Sequence, residues 1–249
     1  MTSSNCKNLK IKNFKILSWN IHSLLPIDID LTLLIHQHDP DVIMLSETWM
    51  KPHYRQMFPG YNCFRYDRKD GYGGLITLIK TKYISYPISV DLNVFGDERI
   101  ESQISKIMID GSDFYFINFY IHTNSKISIE ELRSFFHLND LSNKSFLFWA
   151  GDFNAKHPVW GYPFSDGRGT DIFDFSQQQN LFNINSTNPQ PTRKTAPGEN
   201  KSYTDIAFCS LILTLDFEWE AQNTGSSDHF PCRVPRDYSS PLNNLIYPL

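Results

Sequence analysis

The sequence predicts an α/β fold of two β-sheets packed face to face, with helices on the outer faces. Three observations carry that reading. The chain has 249 residues, 41% of them hydrophobic and 14% aromatic, which suits one large domain with a substantial core. Strand-like runs far outnumber helical patterns, so sheets must pack chiefly on each other. Several of those runs end abruptly on a small polar cluster, which marks them as inner, buried strands.

The elements follow in order. Residues 1–13 are polar and read as a tail. Phe14 to Asn20 is apolar and reads as a strand. Asp28 to Gln37 opens on aspartates and carries Ile29, Leu33 and Leu34, which suits a helix. Asp41 to Leu45 is a short buried strand that delivers Glu47. Tyr61 to Tyr66 and Gly74 to Lys80 form two strands joined by the charged turn Asp67 to Gly73. Ile84 to Val90 and Ile100 to Ile109 follow, the second alternating like a half-buried strand. Phe114 to Ile121 is a long aromatic strand. Ser128 and Glu131 make a capping box for a helix to about His137. Phe146 to Ala150 is a fully apolar strand, and Asp171 to Gln179 a helix. Ser186 to Lys201 is a Pro- and Asn-rich loop. Tyr203 to Phe208 and Leu213 to Trp219 are read as the last two strands. The domain spans 14–234, and 235–249 reads as a tail or linker.

The formal net charge of −4 argues against broad, nonspecific nucleic-acid binding, while leaving room for a local basic lip. Cys6, Cys63, Cys209 and Cys232 form no C-x-x-C pair, so they read as thiols in a reducing compartment rather than a zinc site. No apolar run has the length of a membrane span or of a signal peptide. The chain therefore reads as soluble and intracellular, with no membrane partner.

Chemistry concentrates at four strand ends: Trp-Asn at 19–20, Ser-Glu-Thr-Trp at 46–49, Gly-Asp-Phe-Asn at 151–154 and Ser-Ser-Asp-His at 226–229. A carboxylate such as Glu47 at the end of a buried strand is costly unless it is paired or holds a hard cation. Asp152 and Asn154, two apart, point the same way if extended; an Asx-turn explains them equally well. Asp228-His229 needs a second carboxylate to fix the imidazole, and Asp205 is the candidate. Asn20 and Tyr120 can each donate to a phosphate oxygen. His22, His122 and His157 are further ligand candidates, though a lone histidine seldom is one. Together the clusters have the layout of a metal-dependent phosphoester-cleaving site.

These residues carry a resemblance. Leu-Ser-Trp-Asn at 17–20, Leu-Ser-Glu-Thr-Trp at 45–49, Gly-Gly at 73–74, Asn-Phe-Tyr at 118–120, Gly-Asp-Phe-Asn at 151–154, Ser-Tyr-Thr-Asp at 202–205 and Ser-Asp-His at 227–229 resemble the endonuclease/exonuclease/phosphatase superfamily. That superfamily includes the apurinic/apyrimidinic endonucleases and pancreatic deoxyribonuclease. The segment Ala155 to Gly161 and Asp166-Gly167-Arg168-Gly169 look like its non-long-terminal-repeat (LINE-type) retrotransposon branch. His22 stands where relatives often carry Asp or Asn.

The resemblance implies a four-layer α/β sandwich of the DNase I-like type and magnesium, with manganese as a substitute. Glu47 would be the main metal ligand, with Asn20 and Asp228 beside it. Asp152 would orient or deprotonate water; Asn154 and Tyr120 would hold the phosphate; His229, steadied by Asp205, would stabilise charge or act as the base. Ser202 would lie on the rim that contacts double-stranded DNA, and Thr192, Arg193 and Lys194 lie in a loop that would join it. The implied activity is nicking of one DNA strand to leave a 3′-hydroxyl that primes reverse transcription, in a polyprotein fused to a reverse transcriptase. Such work implies a nuclear location. Two rivals stay open: the same fold acting on RNA or a lipid head group, and a catalytically inactive scaffold.

Overall fold

The computed structural model describes residues 14–235; the expected tail at 1–13 and the segment 236–249 lie outside the described residues. Twelve strands form two six-stranded sheets. The first runs β11 (Glu220–Ala221), β12 (Cys232–Pro235), β1 (Lys15–Asn20), β2 (Val42–Ser46), β4 (Leu75–Lys80), β3 (Tyr61–Tyr66). The second runs β5 (Ile84–Ile88), β6 (Ile100–Ile109), β7 (Ser112–Ile121), β8 (Leu147–Asp152), β10 (Asp205–Ser210), β9 (Leu181–Asn183). Each sheet holds one parallel pair at its centre, β1 with β2 and β7 with β8. Each pair is joined by a helix, α1 (Asp28–His38) in the first and α2 (Ile129–Leu138) in the second. A third helix, α3 (Gly167–Gln178), lies beside α2.

Three apolar layers fix the order of the sandwich. Ile16, Val42 and Met44 of the first sheet meet Phe116, Phe148 and Ala207 of the second in the central layer. Leu31 and Leu34 of α1 pack on the outer face of the first sheet with Leu17, Ile43 and Leu78. Phe135, Phe136 and Phe175 of α2 and α3 cover the outer face of the second with Trp149 and Phe208. The result is the expected four-layer α/β/β/α sandwich.

The helix ends are set by local chemistry. Asp28 and Asp30 in the first turn of α1, and His36 and His38 in the last, match the helix dipole. The capping box of Ser128 and Glu131 forms as read. Helix α3 begins four residues earlier than expected, because Asp166 caps it by accepting the Gly169 N–H at 2.7 Å. Gly151 has φ +149°, and a β-carbon there would sit 1.8 Å from the Phe119 carbonyl oxygen, so only glycine lets β7 and β8 approach.

Helix α1 turns Leu31 and Leu34 inward, whereas Ile29 and Leu33 are exposed. Three expectations need correction. Strand β6 is almost wholly buried: Glu101, Ser102, Gln103 and Ser105 lie inside, because its second face packs against the first sheet. The strand expected at Leu213 to Trp219 is a 3₁₀ turn, Leu211–Asp216, followed by the two-residue β11. Leu213 and Phe217 still reach the central core, while Leu211 and Ile212 stay exposed. Strand β12 runs through Pro235, one residue past the expected domain end at 234, and pairs antiparallel with β1. A proline at a strand terminus costs the ladder little, so it did not end the strand early.

Candidate active site

The ends of both parallel pairs converge at one edge of the sandwich. β1 ends at Asn20, β2 hands over to Glu47, β7 carries Tyr120 one residue from its end, and β8 ends at Asp152. Asp205 starts β10 directly opposite Asp152 in the antiparallel register. The loop before β12 adds Asp228 and His229. It is tied down by the Ser227 hydroxyl donating to the Asn20 carbonyl at 2.9 Å, and by Trp19 Nε1 donating to the His229 carbonyl at 3.0 Å. Glu47, Tyr120, Asp152, Asn154, Asp228 and His229 line one open cleft, with Asn20 and Asp205 buried beneath it.

Hydrogen bonds fix the geometry. Asn20 Nδ2 donates to both Glu47 Oε1 at 2.8 Å and Asp152 Oδ2 at 2.9 Å. Asn154 Nδ2 donates to Asp152 Oδ2 at 3.2 Å and to the Ile121 carbonyl at 3.0 Å. His229 Nδ1 meets Asp205 Oδ2 at 2.8 Å, and its Nε2 lies 3.8 Å from Asp152 Oδ2. Five of the nine non-glycine residues with positive φ among the described residues are His22, Ser23, Glu47, Trp49 and Asn154. Backbone strain is therefore concentrated where the chain swings off the strand ends, as at sites held ready for a ligand.

Arg168 holds two of these segments together. Its guanidinium donates to the carbonyls of Phe153 (3.2 Å), Asn154 (2.6 Å), His122 (3.3 Å), Thr123 (3.0 Å) and Ser125. Burial holds its basicity below the ordinary arginine value.

The electrostatics separate the two candidate proton carriers. Burial pushes the Asp152 carboxyl upward, against the pull of His229. Burial works against a charged His229, but the Asp205, Asp152 and Asp228 carboxylates outweigh it and raise the imidazole to about 9. Burial, with Glu47 and Asp152 nearby, also raises the Tyr120 phenol. Burial opposes ionisation of Asp228, but His229, Arg193 and His22 together hold its carboxyl below the usual range.

Several residues sit otherwise than the sequence suggested. Asp228 gives Oδ1 to His22 Nδ1 at 2.9 Å and Oδ2 to Arg193 at 2.9 and 3.0 Å. Thr192, expected on the DNA-facing loop, is fully buried, and its hydroxyl accepts the Asp205 N–H at 3.0 Å. Ser202 faces the Tyr162 hydroxyl, and the Lys194 ammonium donates to the Gly225 carbonyl. Of these four loop residues, Arg193 lines the cleft. His122 lines it too, while His157 stacks on Phe173 with ring centres 4.4 Å apart. Among the described residues, Asp152, Asp205 and His229 are the group whose ligand atoms lie close enough to share one metal ion.

Sequence reading missed Glu101 and Arg68, which also line the cleft. Glu101 is fully buried; its Oε2 accepts the Gly74 N–H at 2.7 Å and its Oε1 lies 3.5 Å from Arg68 Nη1. Burial pushes its carboxyl up to about 7, against the Gly74 and Arg68 hydrogen bonds. A carboxyl raised in the folded state adds stability below its unfolded value and loses it as pH rises through the folded one. From about 4.5 to about 7, this one group should therefore cost the wild type up to about 3 kcal/mol. Melting wild type and Glu101→Gln across that range should show the wild type losing ground steadily; parallel curves would refute it.

The comparisons with known proteins agree with this geometry. Residues 114–233 match a family model described as endonuclease-reverse transcriptase. The match spans 120 of the 249 residues. The RNA-directed DNA polymerase from the mobile element jockey of Drosophila melanogaster is 28% identical over 158 residues, covering 62% of the chain and 16% of that protein. The probable RNA-directed DNA polymerase from transposon X-element of the same organism is 23% identical over 229 residues, covering 90% and 24%. The chain thus spans a quarter or less of these relatives' lengths. In structure it is similar to the endonuclease domain of TRAS1, a telomere-specific non-LTR retrotransposon, with TM-score 0.71 and 16% identity over 90% of this chain and 98% of that one. It is equally similar to the AP endonuclease LMAP from Leishmania major, with TM-score 0.71 and 18% identity over 91% and 88%. These likenesses are of fold. No helix among the described residues is long and apolar enough to cross a membrane.

Proposed function

We propose that this chain is a divalent-metal-dependent endonuclease of the endonuclease-reverse transcriptase family, which nicks one strand of DNA and leaves a 3′-hydroxyl. The carrying observation is the buried Asp152, held by Asn20 and Asn154 and facing the His229–Asp205 pair, in a cleft with Glu47 at its wall. The donor set fits a hard cation. Two carboxylates gather on one Asn20 amide, and Asp205 and Glu101 add negative charge that His229 alone does not balance. Glu47, Asn20 and Asp228 would hold magnesium, or manganese in its place. When bound, the ion supplies charge neutralisation on the phosphate oxygens.

The chain's own residues do the rest. Asp152 orients a water in line with the phosphorus and takes its proton as the new P–O bond forms and the bond to the 3′-oxygen breaks; the departing 3′-oxygen takes a proton from solvent water and leaves as the 3′-hydroxyl. His229, its Nδ1 held by Asp205 and its charged form favoured by the surrounding carboxylates, donates to the phosphate. Asn154 and Tyr120 hold the scissile phosphate, and Arg193 contacts a neighbouring one. In a retrotransposon polyprotein the released 3′-hydroxyl would prime reverse transcription, and the work would then lie on chromosomal DNA in the nucleus.

Supercoiled plasmid tests the reading. Wild type with magnesium should give open circles; EDTA or His229→Ala should leave the plasmid supercoiled. Nicking that persists in EDTA would overturn it, as would cleavage of RNA or a phospholipid head group in preference to plasmid.

A further inference from the structure

Beside the acidic pocket the cleft has a wall of a different kind. His22, Trp49 and Tyr72 form a row of rings, with His22 and Trp49 centroids 4.7 Å apart and Trp49 and Tyr72 5.5 Å apart, each pair edge to face. All three line the same cleft as Glu47 and Asp152. The row runs outward: Trp49 is half-buried, and Tyr72, in the turn between β3 and β4, is 66% exposed.

An exposed aromatic ring on a hairpin turn is ordinarily unremarkable, but this turn is unusually well anchored. The Trp49 N–H donates to the Gly73 carbonyl at 2.8 Å and the Thr48 N–H to the Gly74 carbonyl at 3.2 Å, so the turn is stitched to the segment after Glu47. The buried Glu101 carboxylate accepts the Gly74 N–H from below. Arg68 grips Asp70 with two hydrogen bonds of 3.0 and 2.6 Å and donates to the Glu98 carbonyl at 2.7 Å. Asp70 in turn accepts the Tyr72 N–H at 3.1 Å. Gly73 is obligatory there: its φ is +87°, and a β-carbon would lie 2.2 Å from Glu101 Oε1. A fully buried carboxyl group is thus committed to keeping an exposed ring in place, and that ring does nothing for the core. Arg68, Arg99 and Arg193 line the cleft as well, a local basic lip on a chain of net charge −4.

We infer that the Trp49–Tyr72 ledge is a nucleotide-binding subsite: it packs on the exposed face of a base or deoxyribose beside the scissile phosphate and biases nicking toward steps that unstack easily. The inference rests on the DNA reading proposed above. Rigid rings suit this task because every base offers a π-face, so contact needs no hydrogen-bond code. Wedging beside the cut selects for deformability, which favours pyrimidine–purine steps.

The chain carries its own reporter. Of its five tryptophans, Trp19, Trp149, Trp160 and Trp219 are fully buried, which leaves Trp49 as the one a ligand can reach. Titrating duplex DNA into the protein in EDTA should quench tryptophan fluorescence, and Trp49→Phe should abolish the quenching. Tyr72→Ala should weaken duplex binding roughly tenfold, as loss of one stacking contact does. It should also redistribute nick positions on an end-labelled duplex in magnesium, with the loss falling in KM, while Tyr72→Phe restores both. An unchanged melting temperature for Tyr72→Ala keeps the result from being a folding defect. Duplex binding without quenching, or a Tyr72→Ala nick map and affinity matching wild type, would overturn the ledge. A wild type that binds duplex with quenching yet never nicks would instead sink the endonuclease reading and leave the subsite standing.

Discussion

Asp152→Asn should lower nicking by about 10²- to 10⁴-fold, the range for removing a group that moves a proton in the transition state. Asparagine keeps the shape and can still accept from Asn20 and Asn154, so the scaffold survives. What disappears is a carboxylate able to receive the proton of the attacking water. Stability should move the other way. Burial disfavours the charged form of Asp152, so a neutral isostere should melt at the same temperature or higher above neutral pH. Loss of activity with retained or raised stability separates a chemical role from a structural one. Activity within tenfold of wild type would remove Asp152 from the mechanism.

Arg168→Ala should be damaging for a different reason. One guanidinium gathers five carbonyls from two segments, the run through Asn154 after β8 and the loop 122–125 after β7. Removing it strands acceptors that are partly shielded from water, at a cost of roughly 3 kcal/mol. For a domain of this size that is a drop of about 6–12 °C in melting temperature. Nicking should fall too, because Asn154 loses the backbone anchor that presents its amide to Asp152. Arg168→Lys should rescue neither property, since an ammonium cannot reach five acceptors spread around a planar fork. Full rescue by lysine would show that charge alone matters there.

The residues that the sequence exposed most clearly are those at the ends of inner strands. An apolar run that stops on Asn20, Glu47 or Asp152 has a local signature, because burial and chemistry change within one residue. The face of α1 was not legible because Ile29 and Leu33 are as apolar as Leu31 and Leu34; only the angle at which the helix meets the sheet decides. Glu101 was invisible for a related reason. A charge at an alternating position normally marks the wet face of a strand, and here that face lies between two sheets. Arg168 announces itself only through a motif, since its partners are backbone carbonyls that any sequence provides. Thr192 looked like part of a solvated loop because its neighbours are polar, yet its hydroxyl serves the first amide of β10.

The pairing of β12 with β1 joins residues about 220 positions apart. His229 arrives in the cleft with that strand, and Trp19 and the Asn20 carbonyl at the other end of the domain hold its loop in place. During synthesis, then, Asn20, Glu47 and Asp152 emerge early and remain incomplete until the last thirty or so residues of the domain have left the ribosome. A nascent or prematurely terminated chain carries most of the acidic residues and none of the closing strand. For the DNA nicking proposed above, late closure would make the catalytic apparatus all-or-none: competence to break a strand would come only with the finished fold.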